Sequence, residues 1–322
     1  MYLLAIETSC DDTAAAVLTI RDGQPVACSN IVSTQNVHAA YGGVVPELAS
    51  RAHAQNIIPT VSQALKTAGI TQGELTHIAY TNTPGLPGSL IVGQQFAKGL
   101  STALRLPLLP VNHLIGHVMA VTLTEQMTYP FLCLLVSGGN SQIIRVDAPN
   151  QIEILGNTID DAAGEAFDKC AKMLQLPYPG GVQIDRLAEQ GNPLAYSFAR
   201  PRIKGYDYSF SGVKTSVLYF LRDRLQEDPD FIENNKADLC ASIRHTIVDI
   251  LMDKFLRAAT DTGITTIALA GGVSANSLLR RRTQEEAEQR GYTAIIPPLN
   301  LTTDNAAMIG ASAVYQVLQS EQ

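Results

Sequence analysis

No stretch of this sequence approaches the roughly 18 uninterrupted apolar residues that a membrane span requires, so a soluble chain that makes no membrane contact is expected. Cysteine is sparse and unpaired in spacing: Cys10, Cys28, Cys133, Cys170 and Cys240 are scattered, with no CxxC pair among them. The N-terminal residues reach an acid, Glu7, before any apolar run of signal-peptide length. Together these absences lead us to expect a reducing cytoplasm. Charge is also scarce, at 16% of residues, and low-complexity tracts are missing, so disorder is expected only at the extreme C-terminus. Basic residues are in deficit, 23 against 30 acidic, for a net charge of -7. That excludes a surface that is as a whole a nucleic-acid footprint, though not a local one. Arg200, Arg202 and Lys204 form one such cluster and Arg280-Arg281-Arg282 another, and each is also what a solvated face looks like.

What is present is an α/β alternation over 322 residues, enough for two domains at roughly 100 to 200 residues each. The two halves echo each other. In the first, an apolar strand Leu3 to Glu7 leads through a polar turn at Thr8 to Thr13 into a second strand, Ala14 to Ile20. In the second, Phe131 to Val136 leads through Ser137-Gly138-Gly139-Asn140-Ser141 into Gln142 to Val146. We therefore expect two related lobes, 1–125 and 126–322, each opened by a hairpin whose turn offers NH groups and hydroxyls to phosphate, with the final helix packing back on the first lobe. Helices are expected from Pro46, with Pro59 as a kink or a second start, and over Asp238 to Leu256, where Leu239, Ile243, Ile247, Ile250, Leu251 and Phe255 form an apolar stripe. Gln226 to Lys236 is polar and reads as an exposed loop.

The residues that suggest chemistry begin with His113-Leu114-Ile115-Gly116-His117. Two imidazoles four apart share one helix face and can grip a metal together. Pro107 to Val111 reads as a short strand, and Asn112 stands where a helix N-cap belongs. A zinc peptidase of the HExxH type needs a glutamate after the first histidine, and that position is Leu114. A third ligand must come from elsewhere. Two glycine loops, Ser137-Gly138-Gly139 and Ala270 to Asn276, sit at strand ends where a nucleotide would suit them. Acids gather near these segments in sequence, at Asp11, Asp12, Asp160, Asp161, Asp168, Asp185 and Asp304. Each could hold ribose, a cation or a helix N-terminus, and spacing does not choose among them.

Taken together, these motifs resemble one family over almost the whole chain: TsaD, formerly Gcp, the tRNA threonylcarbamoyladenosine synthesis proteins. The residues that carry the resemblance run from Ile6-Glu7-Thr8-Ser9-Cys10-Asp11-Asp12-Thr13 through Tyr41 to Arg51, Asn112 to His117, and Leu135-Val136-Ser137-Gly138-Gly139. They continue through Asp160 to Lys169, Tyr178-Pro179-Gly180-Gly181, Phe210 to Thr215, Gly271 to Asn276, and Thr303-Asp304-Asn305. Asn140-Ser141, Leu114-Ile115 and Asn82-Thr83 depart from the commonest bacterial pattern without removing an implied ligand, and Tyr178 to Gly181 resembles the bacterial or organellar branch.

The resemblance implies an actin, sugar kinase and Hsp70-like (ASKHA) fold, with duplicated RNase H-like domains around a nucleotide cleft. It implies that His113, His117 and Asp304 bind one divalent metal, iron or zinc, and that Leu135, Val136, Ser137, Gly138, Gly139, Asp168, Gly181, Asp185 and Asn276 hold the adenylate. Asp11 matches an acid needed for activity. The implied reaction is acyl transfer from threonylcarbamoyl-adenylate to the exocyclic amine of the adenosine beside the tRNA anticodon, in tRNAs reading ANN codons. Implied partners are tRNA, a homologous TsaB-like subunit forming a heterodimer, and a small TsaE-like P-loop ATPase. Two rival classes remain: a metallopeptidase, and a non-catalytic partner of the same fold, which would have lost the metal ligands.

Overall fold

The computed structural model describes residues 1–320 and divides into two compact units. One comprises Met1–Tyr129, Asp147–Ile152 and the chain from Pro297 onward; the other comprises Pro130–Val146 and Glu153–Ile296.

The first unit is built on β1 (Leu3–Glu7), β2 (Asp12–Arg21), β3 (Gln24–Thr34), α1 (Pro46–Ala68), β4 (His77–Thr83), α2 (Pro87–Leu104), β5 (Leu108–Asn112) and α3 (His113–Met119). Its sheet has the order β3-β2-β1-β4-β5, with β1 antiparallel to β2 and parallel to β4. The central strand is buried along its whole length because its alternate side chains feed two cores. Leu4 and Ile6 join Ile57, Val61 and Leu65 of α1 on one face, while Leu3 and Ala5 join the C-terminal helix on the other. The structure corrects one expectation for α1: Pro59 begins no second helix but lies inside one of 23 residues. Burial of Ile57, Thr60, Val61 and Ala64 offsets the single hydrogen bond that Pro59 cannot donate. The expected N-cap is present, since the Asn112 side chain accepts from Leu114 N (2.9 Å) and Ile115 N (3.2 Å).

The second unit repeats the plan with β6 (Phe131–Val136), β7 (Ser141–Ala148), β8 (Gln151–Asn157), α4 (Ala163–Met173), α5 (Gly180–Ala188), α6 (Ser211–Glu227), α7 (Phe231–Thr262), β9 (Thr266–Ala270), α8 (Ser277–Arg290) and β10 (Thr293–Ile295). The sheet order is β10-β9-β6-β7-β8, with β6 antiparallel to β7 and parallel to β9. Strand for strand this is the first sheet again, so the duplication seen in two hairpins extends to all ten strands. The chain ends in α9 (Ala306–Ser320) against the first sheet, where Gly310 lets the helix close on Leu18: an added Cβ would stand 2.0 Å from Leu18 Cδ1.

The stretch Gln226 to Lys236 is not a loop. It holds the end of α6, a three-residue break and the first turns of α7. Its polarity reports exposure, which an amphipathic helix shares with a loop. Ile232 is buried, and Phe231 packs on Tyr196 and Phe220 with ring centroids 5.8 and 5.9 Å apart. No helix among the described residues is long and apolar enough to cross a membrane.

Candidate metal centre and glycine loops

In the first unit, α3 and the segment preceding α9 bring together three side chains distant in sequence. One donor atom from each of His113, His117 and Asp304 lies within 4.8 Å of the others. His117 Nε2 is 3.1 Å from Asp304 Oδ1, and His113 Nε2 is 3.5 Å from the same oxygen. The imidazoles meet edge to face, 4.7 Å between centroids. Two imidazole nitrogens and one carboxylate oxygen are a donor set that suits zinc or ferrous iron, and three protein ligands leave coordination positions open.

Behind this group lies a residue that the sequence motifs do not single out. Glu7, the last residue of β1, is fully buried, and its Oε2 sits 3.1 Å from His113 Nδ1. The Ser9 hydroxyl is also 3.1 Å from that nitrogen. Glu7 is held by the Ser9 backbone NH and the Thr81 hydroxyl, both of which donate to it. Nδ1–H of His113 can thus donate to Glu7, leaving the Nε2 lone pair free for a metal, in the carboxylate–histidine–metal arrangement. Burial alone would depress His113, yet the Glu7 and Asp304 carboxylates outweigh it and hold the imidazole up at about 9. The pocket therefore favours positive charge where a metal would sit. His117 Nδ1, by contrast, is buried with no hydrogen-bond partner among the described residues.

Asp11 lies in the β1–β2 turn, half-buried, and is not one of the three convergent donors. The turn is fastened by an imidazole missed at the sequence level: fully buried His53 of α1 lies 3.0 Å from the Cys10 carbonyl and 2.8 Å from the Thr13 hydroxyl, spanning the two ends of the Asp11-Asp12 pair. Asp12 Oδ1 is buried without a hydrogen-bond partner among the described residues. Burial lifts Asp12 to about 6, with the charges of Asp11, Asp304 and Glu7 adding and a Thr34 hydrogen bond opposing. An unfolded aspartate titrates near ~3.9. The native state therefore binds this proton more tightly, and stability falls as pH rises from the unfolded value towards 6, then levels. Asp12→Asn is expected to melt about 3 °C higher than the parent at pH 7.5 and no higher below pH 4. Equal melting shifts at both pH values in a calorimetric series would contradict this account.

The second unit places the glycine loops at the ends of β6 and β9. In the first loop Ser137 N donates to the Asn140 carbonyl, and the Ser137 and Gly138 carbonyls accept from Gly164 N and Glu165 N at the start of α4. Gly164 permits this contact, since a Cβ there would stand 2.6 Å from the Ser137 carbonyl oxygen. Gly138 and Gly139 have open space where a Cβ would point, so a ligand can approach their backbone. Leu135 and Val136 are wholly buried, so of this stretch Gly138 and Gly139 are the residues open to a ligand. The second loop abuts the first: Gly271, at φ 84°, comes so close to Val136 that a Cβ would lie 2.4 Å from its carbonyl oxygen.

The polar residues expected to hold adenylate are already engaged with helix termini. Asp168 Oδ1 accepts from Gly180 N (2.8 Å) and Gly181 N (3.2 Å) at the start of α5. Asp185 accepts from Ser277 N (3.0 Å), at the start of α8, and from Arg244 (2.9 Å). Asn276 caps the same helix through Leu279 N. Arg244, nearly buried, also reaches Glu189 and Ser277, and sequence spacing carried no signal for it. The structure also decides the roles left open for two acids. Asp160 serves the start of α6, accepting from Phe210 N and Ser211 N, rather than α4. Asn305, not Asp304, caps α9, accepting from Met308 N at 3.0 Å. That leaves Asp304 to the histidines.

Comparison with known proteins adds a second line. A family model described as TsaD, tRNA N6-adenosine threonylcarbamoyltransferase, matches residues 26–311. A protein of Porphyromonas gingivalis named tRNA N6-adenosine threonylcarbamoyltransferase is 58% identical over 327 aligned residues, covering 100% of this chain and 95% of its own. One of the same name from Phocaeicola vulgatus is 58% identical over 325, covering 99% and 95%. Among solved structures, component A of the (R)-2-hydroxyglutaryl-CoA dehydratase of Acidaminococcus fermentans superposes with a TM-score of 0.58 at 14% identity, covering both chains fully. That likeness bears on the fold alone.

Proposed function

The chain belongs to the TsaD family of tRNA N6-adenosine threonylcarbamoyltransferases, and we propose that it moves the threonylcarbamoyl group of threonylcarbamoyl-adenylate to the N6 amine of the adenosine beside the anticodon, in tRNAs reading ANN codons. The observation that carries the reading is the intact His113–His117–Asp304 group, with a buried carboxylate orienting its first histidine. A non-catalytic relative has no use for such a group. The peptidase alternative lacks its base, since Leu114 stands at the required position and Glu7 is engaged behind His113.

In this reaction the amine nitrogen forms a bond to the carbamoyl carbon and gives up one proton to solvent, the bond from that carbon to the phosphate oxygen breaks, and AMP leaves with the electron pair. His113, His117 and Asp304 would hold one divalent metal, iron or zinc, which when bound supplies a Lewis acid for the carbonyl end of the substrate. The Gly138 and Gly139 backbone would present NH groups to the adenylate phosphate, and preorganised donors of this kind carry no reorganisation cost when charge shifts to the leaving group. Asp168, Asp185 and Asn276 support these loops by fixing the helices that begin beside them. A TsaB-like subunit and a TsaE-like ATPase complete the assembly we propose.

The test supplies the purified chain, those two partners, tRNA, threonylcarbamoyl-adenylate and ferrous or zinc ion, and measures threonylcarbamoyladenosine in digested tRNA by mass spectrometry. Product above the enzyme-free control is expected. None, with the partners shown to assemble and metal bound, refutes the transferase reading.

A further inference from the structure

The second unit carries a basic strip that the chemistry above leaves unused. In Arg200-Pro201-Arg202-Ile203-Lys204 burial alternates: the three cations are exposed and the two residues between them half-buried. The strip is pinned from beneath. Lys254, buried in α7, donates to the Ile203 carbonyl and, at 2.7 Å, to the Gly205 carbonyl. Arg257 donates to the Gly205 carbonyl at 2.6 Å. Just beyond, Gly156 of β8 lets the Tyr206 backbone lie so close that an added Cβ would stand 2.4 Å from its carbonyl oxygen. Asp207 and Tyr208 then bond Asn157 across the same edge. The strip is a fixed rail whose charged side faces out.

Beside it lie two cavities of about 450 and 480 Å³, lined by six cationic side chains against three carboxylates. Asp249 aims two of the cations, accepting from Arg200 at 2.5 Å and from Arg282 of α8. Arg202 and Lys204 make no hydrogen bond or ion pair among the described residues, so they need not be stripped from an internal partner to meet an external anion. Three exposed cations within five residues suit a run of anionic groups rather than a single one. On a chain of net charge -7, so local an excess of fixed positive charge selects a polyanion.

We infer that Arg200, Arg202 and Lys204 form a rail for backbone phosphates of the tRNA substrate. This rests on the transferase reading and names the surface through which that substrate is held. Phosphate contacts fix register without reading sequence, so the rail would raise affinity for any tRNA presented, while the amine to be modified is chosen elsewhere.

The experiment compares the parent with Arg200→Ala/Arg202→Ala/Lys204→Ala and with Arg202→Glu/Lys204→Glu, each assembled with its partners. KM for tRNA, KM for threonylcarbamoyl-adenylate and the salt dependence of tRNA binding are measured. The expected result is a tRNA KM raised about tenfold or more, an unchanged adenylate KM, and a log–log salt slope shallower by roughly 0.7 to 0.9 for each phosphate no longer neutralised. An unchanged tRNA KM and slope in variants that melt like the parent overturns the rail, as does failure of subunit assembly with tRNA binding intact, which makes the strip a protein interface. Absence of product from the parent itself refutes instead the transferase reading.

Discussion

His117→Ala and Asp304→Asn are each expected to co-purify with less than a tenth of the parent's bound iron or zinc and to form threonylcarbamoyladenosine about 10² to 10⁴ times more slowly. The magnitude follows from the role. Lewis-acid stabilisation of developing charge is worth several kcal/mol, and each ~1.4 kcal/mol is tenfold in rate. Both imidazoles meet at one oxygen, Asp304 Oδ1, so His117→Ala removes a donor from a group of only three and Asp304→Asn exchanges its charged donor for a weaker neutral one. The two variants guard against different errors. His117 is almost wholly buried, so its truncation leaves a void and costs stability as well. Asp304→Asn keeps the shape and removes only the charge. Elemental analysis, the melting temperature and single-turnover product formation separate these effects. Full metal content and full rate in the Asp304→Asn variant would remove Asp304 from the ligand set. A slowed rate with metal retained would make it a positioning residue for substrate.

The extent to which this centre could be read before the fold was known follows from the geometry of each part. His113 and His117 belong to one helical turn, and the Asn112 cap before them is local chemistry, so both were legible. Asp304 lies 187 residues from His117, and only the family resemblance joined them. Bare spacing left it as one acid among several, of which Asp160, Asp168 and Asp185 serve helix starts. Glu7 was harder still. It ends a fully buried apolar strand, where a carboxylate ordinarily signals the strand's edge, and its meaning depends on α3 arriving over that end. The duplicated sheet was legible because each copy announces itself with a hairpin of adjacent strands. The parallel partners β4 and β9 enter through crossovers whose pairing no local pattern encodes. Gln226 to Lys236 misled because its helices show water a polar face, and the aromatic contacts that fix it are tertiary.

Glu7→Gln is expected to weaken metal binding about 10- to 100-fold, the usual cost of losing the carboxylate behind a ligating histidine. The substitution is nearly isosteric: its amide oxygen can still accept from Ser9 N, which now bonds Oε1, while its NH₂ takes the place of Oε2 beside the Thr81 hydroxyl and His113. What changes is the face towards His113 Nδ1. A carboxylate there favours the tautomer with the proton on Nδ1 and makes the ring a better donor at Nε2, whereas a glutamine does so only weakly and can present its own NH₂ instead. Ser9→Ala is the comparison: it removes a neutral contact of the same 3.1 Å length and leaves Glu7 in place, so its effect should stay within about threefold. Competition against a chelator of known affinity measures both. If Ser9→Ala matches Glu7→Gln, the site needs only a hydrogen bond behind His113. If Glu7→Gln binds metal like the parent, the buried charge serves the fold of the β1–β2 turn, and the orientation of His113 rests on α3 alone.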